Sequence, residues 1–320
     1  MSSQGYSTQP GTVSKQRVNR GLGDLHVREE EFSGTGENTP PRPGAGASAR
    51  GKPAQAAAPS QAALALLDLA QGARAHHLWH LLAWQDIRRL YRRSILGPFW
   101  LTIGMGALVG VLGTLYGMLF GVESADYVPY LALGFIVWTL ISGVIPEGCT
   151  AFINAQGIIR HVGLPLSIHV YRLLWRHLLI LFHNAAVFVV VAAIFAVWPG
   201  WTGLLALPGL VLLCLNGIWA GLLLAIVSAR FRDVPPIVTS FVRICFFVTP
   251  IIWMPELMPG RPLVLDLNPF FHLVEVVRAP LLGQVPGLAS WIAVLVMTAA
   301  GWLATFALFR RYRRRIAYWV

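Results

Sequence analysis

RRLYRRSILGPFW, residues 88–100, places four arginines within six positions and then runs straight into apolar sequence. The stretch that follows, 99–121, carries no charged side chain. A helix that crosses a bilayer needs about 20 mostly apolar residues. A cluster of arginines at its edge marks the end that stays on the cytoplasmic side. Charge followed by an apolar run of this length therefore reads as the entry to a membrane span.

The composition extends this to most of the chain. Of 320 residues, 56% are hydrophobic and only 12% are charged, and the mean hydropathy is +0.61. A soluble domain carries about 25% charged residues. The net charge of +11 sits in clusters beside apolar runs, with no separate basic domain and no base-reading motif, which argues against nucleic acid as a partner. Cys149, Cys214 and Cys245 are widely spaced, so they read as small buried hydrophobes rather than as a disulfide framework or metal site.

Residues 1–75 have a different character. ENTPPRPGAGASARGKPAQAAAPSQAA is rich in Pro, Gly, Ala and Ser and poor in large apolar side chains, the signature of a disordered cytoplasmic tail. AALALLDLA is too short for a signal core and is interrupted by Asp68. Residues 76–98 read as an amphipathic helix in the membrane interface. Trp84, Ile87, Tyr91 and Ile95 lie on one face, and Arg88, Arg89, Arg92 and Arg93 turn toward anionic headgroups. Beyond it, six apolar stretches are candidate spans: 99–121, 128–146, 177–197, 204–228, 237–253 and 288–309, the fifth being the shortest.

Charge orients them. The N-terminal flank, the second-to-third connection, the fourth-to-fifth connection and the C-terminal end hold Arg160, Arg172, Arg176, Arg230, Arg232, Arg310, Arg311, Arg313, Arg314 and Arg315, besides the four opening arginines. The opposite connections hold Glu123, Asp126, Glu256, Asp266 and Glu275 against Arg261 and Arg278. The excess places both termini in the cytoplasm, which an even number of spans requires.

The opening stretch also resembles the start of permease subunits of ABC-2-type exporters, in the branch that exports polysaccharides such as O-antigen, capsule or teichoic acid. The matching positions are Tyr91, Arg92, Ser94, Leu96, Gly97 and Trp100. Further stretches match in order: NAQGIIRHVGLPLSIHVYR (154–172), ARFRDVPPI (229–237), VTPIIW (248–253), NPFFHLVEVVRAPLLG (268–283) and the ending RRYRRRIAYWV. The resemblance covers about residues 80–320. It departs from the family in the long N-terminal tail and in Gly163-Leu164-Pro165, where an aromatic before the proline is common. The resulting expectation is an all-α membrane protein of six transmembrane helices behind an interfacial helix. Residues 99–320 form the ABC-2-type domain, with a re-entrant or short-helix segment between the fifth and sixth spans.

The resemblance implies a bacterial inner-membrane exporter half. Two copies of the chain form the pore, a separate cytoplasmic ABC ATPase dimer binds ATP and Mg, and a lipid-linked polysaccharide is the substrate. The residues agree with part of this. The only lysines are Lys15 and Lys52, neither in a phosphate loop, so this chain holds no nucleotide cofactor of its own. The resemblance gives the Arg-rich helix and the second-to-third connection to the ATPase, with Arg88, Arg92, Asn154, Arg160 and His161 as contacts. Trp100, Tyr116, Tyr127, Tyr130, Trp138 and Trp253 form a pool of rings on which sugars can stack, and the same residue types also form interfacial belts. Arg243 lies inside an apolar run and either meets a lipid phosphate or snorkels to the interface. Asn268, Glu275 and Arg278 are candidates for an outer gate. Gly106, Gly110, Gly113, Gly117 and Gly121, and Gly217 with Gly221, provide small-residue spacing for close helix approach.

Three other classes share parts of this pattern. An ABC-2 exporter of drugs or other lipids shares the spans and the ATPase but not the Tyr-Arg-Xaa-Ser start. A membrane-embedded enzyme needs converging carboxylates or a His/Asp pair, and Glu123, Asp126, Glu147, Asp233, Glu256, Asp266 and Glu275 form none in sequence. A proton-coupled carrier wants an acid within a span, where only Glu147 comes near.

Overall fold

The computed structural model describes residues 60–92, 97, 99–257 and 263–320. The expectations for residues 1–59, and for Arg93, Ser94, Ile95, Leu96, Pro98 and Arg261, lie outside them. The described chain is helical: α1 Gln61–Arg74, α2 His76–Leu90, α3 Phe99–Phe120, α4 Ser124–Asn154, α5 Gln156–His161, α6 Ser167–Ile194, α7 Ala206–Arg230, α8 Val234–Val248, α9 Leu263–Asp266, α10 Pro269–Leu281 and α11 Leu288–Trp319. Single 3₁₀ turns precede α7 (Gly200–Leu205) and follow α8 (Pro255–Leu257).

Five helices are long and apolar enough to cross a membrane: α3, α4, α6, α7 with its 3₁₀ lead-in, and α11. Five of the six expected spans fall on these helices. The fifth, read as 237–253, falls on the shorter helix α8 and the turn that follows it. α8 has 15 residues, about 22 Å of helix against a hydrocarbon thickness of about 30 Å. Pro235 starts it in the first turn, where a missing N–H is harmless. Thr249-Pro250 ends it, because the residue before a proline disfavours helix. The sequence VTPIIW therefore unwinds, so this stretch runs as a short helix followed by a turn. The short helices α9 and α10 fill the expected segment between the fifth and sixth apolar stretches, and Asn268 caps α10 through the N–H groups of Phe270 and Phe271.

α4 is the central element. It packs against α3, α6, α7, α8 and α10, and its residues 127–137 are continuously buried. α3 lies at the rim, its Val111, Leu115, Met118 and Leu119 facing outward. Small residues set the closest approach: a Cβ on Gly148 of α4 would lie 2.8 Å from the Cα of Gly221 on α7. The α3 glycines divide. Gly113 and Gly117 pack on Val128 and Tyr127 of the same chain, whereas a Cβ at Gly110 meets nothing within 4 Å. Gly121 closes α3 at φ +65, a backbone conformation that favours glycine.

Two corrections concern the first helices. Residues 61–74 are not tail. They form α1, capped by Ser60 and packed on α6 and α11. The Asp68 that interrupts the apolar run is buried against those helices. α2 ends at Leu90, and its buried positions are Ala83 and Ile87, while Trp84 is exposed. The small Ala83 lets α2 approach α6, where Trp79 and His80 pack on Trp175 with ring centroids 5.7 and 4.3 Å away.

The helix ends gather at two poles. At one, α1, α2, α5, the start of α6, the α7–α8 turn and the end of α11 meet, with Arg88, Arg89, Arg92, Arg230, Arg232, Arg310, Arg311, Arg314 and Arg315 exposed. At the other, α10 packs against α7, α11 and the 3₁₀ turn before α7.

Candidate functional site

At the arginine pole an ion network joins three helices. Asp86 of α2 accepts from both Arg172 Nε, at 2.6 Å, and the far nitrogen of the same guanidinium. Arg176, one turn along α6, lies 3.6 Å from Asp86 and also pairs with Glu147 of α4. His177 is buried 3.3 Å from the same Glu147 carboxylate, in a niche that exists because residue 143 is glycine: a Cβ there would lie 2.2 Å from the imidazole. Asp86, Glu147, Thr150, Asn154, Arg172 and Arg176 line a cavity of about 360 Å³. Water screens the half-exposed Glu147 end, which fixes the mutual rotation of the helices more than it adds stability, whereas Asp86 is nearly buried.

α5 follows α4 with one residue between them and carries the exposed Arg160 and His161, with exposed Asn154 just before it. Its Arg160 donates to the main-chain oxygen of Val320, and Arg232 of the α7–α8 turn donates to that of Trp319. The expected contact residues Arg88, Arg92, Asn154, Arg160 and His161 are all exposed at this one pole. Asp68 and Asp86, which hold the pole together, were not singled out in the sequence, because their partners are 245 and 86 residues away.

At the opposite pole the unwound segment after α8 leaves carbonyls without helical donors, and buried backbone acceptors need partners. Arg278 of α10, 1% exposed, supplies one: its guanidinium donates to Pro250 O at 2.6 Å and to Glu275 at 2.7 Å. It lies 3.9 Å over the ring of Tyr130, whose hydroxyl donates to Pro250 O at 2.9 Å with Trp253 O as a longer alternative acceptor at 3.3 Å. The Tyr127 hydroxyl donates to Ile252 O. Asn268 donates to Thr249 at 3.0 Å while capping α10. The three outer-gate candidates are thus brought to one place, around the 249–253 turn. Tyr130, Glu275 and Arg278 also line a cavity of about 850 Å³ whose wall carries the further carboxylates Asp126 and Glu256.

The aromatic candidates do not form one track. Trp100 is 62% exposed on the first turn of α3, and Tyr116 packs on Phe120. Tyr127 is fully buried, and Trp138 sits between Phe246 and Phe270 in the core. Trp253 donates its indole N–H to Phe247 O. Arg243 is exposed on α8 among the outward Phe241, Ile244 and Phe247. Tyr127 and Trp138 thus pack within the protomer core. Among the described residues no group of three or more His, Cys, Asp or Glu is placed to hold a metal ion.

Residues 77–282, well over half the chain, match the ABC-2 type transporter family. The chain belongs to that family. The chain is also 24% identical, over 206 residues, to the O-antigen export system permease protein RfbA of Myxococcus xanthus, spanning 62% of this chain and 77% of that protein.

Proposed function

We propose that this ABC-2 subunit is the permease of an ATP-driven exporter that moves a lipid-linked polysaccharide across the bacterial inner membrane. It works as two copies with a separate cytoplasmic ATPase dimer. The likeness to a protein named as an O-antigen export permease carries the substrate class, and the Tyr91-Arg92 start and the aromatic ending favour the same branch.

The arginine pole faces the cytoplasm, by the positive-inside rule. α5 and the exposed arginines of α2 meet the ATPase there. Closure of the ATPase pushes α5, and the Asp86–Arg172–Arg176–Glu147 network moves α2, α4 and α6 together. The Arg278–Tyr130 node holds the outer turn shut until that movement reaches it through α4, which carries both Glu147 and Tyr130. One continuous helix thus carries a contact at each end, the kind of link that coupling requires.

Deleting the gene and labelling glycan on each face of the inner membrane tests the reading. Accumulation of lipid-linked polymer inside with loss from the surface is expected. An unchanged surface glycan contradicts it and makes a drug or another lipid the cargo.

A further inference from the structure

Asp68 has a side chain with no exposure at all. A buried carboxylate persists only where hydrogen bonds and a counter-charge replace its water. One carboxylate oxygen accepts from Ser167 N–H at 3.0 Å, and the other from Leu166 N–H at 3.1 Å and Arg313 Nε at 2.9 Å. Leu166 is the cap position of α6 and has no capping side chain of its own. A residue 98 positions earlier thus caps α6 from another helix, at the end where orphan N–H groups and the helix dipole favour an anion.

The rest of α1 is shaped for this contact. Ser167 Oγ donates to the main-chain oxygen of Asp68 at 2.8 Å, and Tyr171 donates to that of Leu69 at 3.2 Å. Gly72 allows the approach, since a Cβ there would lie 2.1 Å from Ser167 Oγ. Ala65 packs with Phe152, Leu166, Phe309, Ile316 and Val320.

Both anchors lead to α5. Residues 162–166 alone join α5 to the capped end of α6. From Arg313, α11 runs on to Trp319, and the next residue, Val320, accepts from Arg160 of α5. We infer that Asp68 is a positioning residue that sets the attitude of α5 by holding α6 and α11 together, an inference that rests on the proposed role of α5 for its consequence in transport. Asp68 and Arg313 lie outside the 77–282 family match, and the Leu166 and Ser167 groups that Asp68 holds lie within it.

The test uses the full-length permease in vesicles of phosphatidylethanolamine and phosphatidylglycerol, with its three cysteines replaced. A spin label is placed on α5 at Gln156→Cys or, as a control at the other pole, at Val285→Cys. Asp68→Asn keeps the shape and one acceptor, Asp68→Ala removes both, and Arg313→Ala removes only the α11 anchor. The α5 label is expected to gain mobility by about twofold or more in Asp68→Asn and Arg313→Ala, and further in Asp68→Ala, with no change at residue 285. The double variant D68R/R313D restores the charge pair but leaves Leu166 and Ser167 uncapped, so it stays mobile. Unchanged α5 mobility in all variants overturns the inference, and so does equal loosening at both labels. ATP-driven export measured on the same variants separates the two readings. If α5 is loosened and export is unimpaired, the clamp stands and the docking of α5 on the ATPase falls.

Discussion

Arg278 and Tyr130 stack 3.9 Å apart and donate to the same acceptor, the main-chain oxygen of Pro250. One comes from α10 and the other from α4, so the unwound turn after α8 is fixed from both sides. Tyr130→Phe keeps the stacking but removes the donor shared by Pro250 O and Trp253 O, and is expected to cost about 1–3 kcal/mol. Arg278→Met strands Glu275 and removes the buried charge's network, with an expected cost of about 3–5 kcal/mol. Thermal unfolding of the purified permease in detergent ranks the two. Equal stability of both variants and wild type contradicts a structural node here.

The network at the other pole predicts an ordering by exposure. Asp86 is 11% exposed and binds two arginines, whereas Glu147 is 46% exposed. Asp86→Asn should destabilise the fold by about 1–3 kcal/mol. Glu147→Gln should do so by less than about 1 kcal/mol, and by less still in high salt. A reversed order, read from unfolding midpoints at two salt concentrations, contradicts the assignment of Asp86 as the hub.

Helix spacing gives a third expectation. Gly148→Ala forces α4 and α7 apart, because its Cβ would sit 2.8 Å from the Gly221 Cα, and overpacking of this kind costs about 1–3 kcal/mol. Gly110→Ala meets open space and should leave protomer stability unchanged or slightly raised by helix propensity. Comparing detergent melting of the two variants decides whether the close α4–α7 contact is required.

For α5, the variant His161→Ala should leave the permease inserted and folded and keeps the Arg160 bond to Val320. The His161 side chain is exposed, and surface changes usually stay within about 0.5 kcal/mol. Export should fall by about tenfold or more if this helix transmits ATPase closure, each factor of ten being about 1.4 kcal/mol of lost coupling. Export at the wild-type rate removes α5 from the coupling path.

Much of the bundle was legible because a span is a local property. Length and apolarity placed α3, α4, α6, α7 and α11. The arginine counts predicted which ends share a pole. The end of α8 was also written locally, in Thr249-Pro250, but continuous apolarity through Trp253 masked it. α1 was not legible. Its burial depends on Asp68 meeting Leu166, Ser167 and Arg313, and an acid in a short apolar run reads alone as an interruption. Arg278, Glu275 and Asn268 lie together around the 249–253 turn, whereas Tyr127 and Trp138 pack in the core. A ring's residue type does not tell whether it faces a core or a cavity.

The most direct test is a flux measurement in inverted inner-membrane vesicles from cells that make the permease and its ATPase, loaded with radiolabelled lipid-linked glycan. Added ATP should transfer labelled polymer to the vesicle interior, and the transfer should vanish in vesicles lacking the permease or carrying a hydrolysis-dead ATPase. Equal transfer with and without the permease would contradict polysaccharide export as its function.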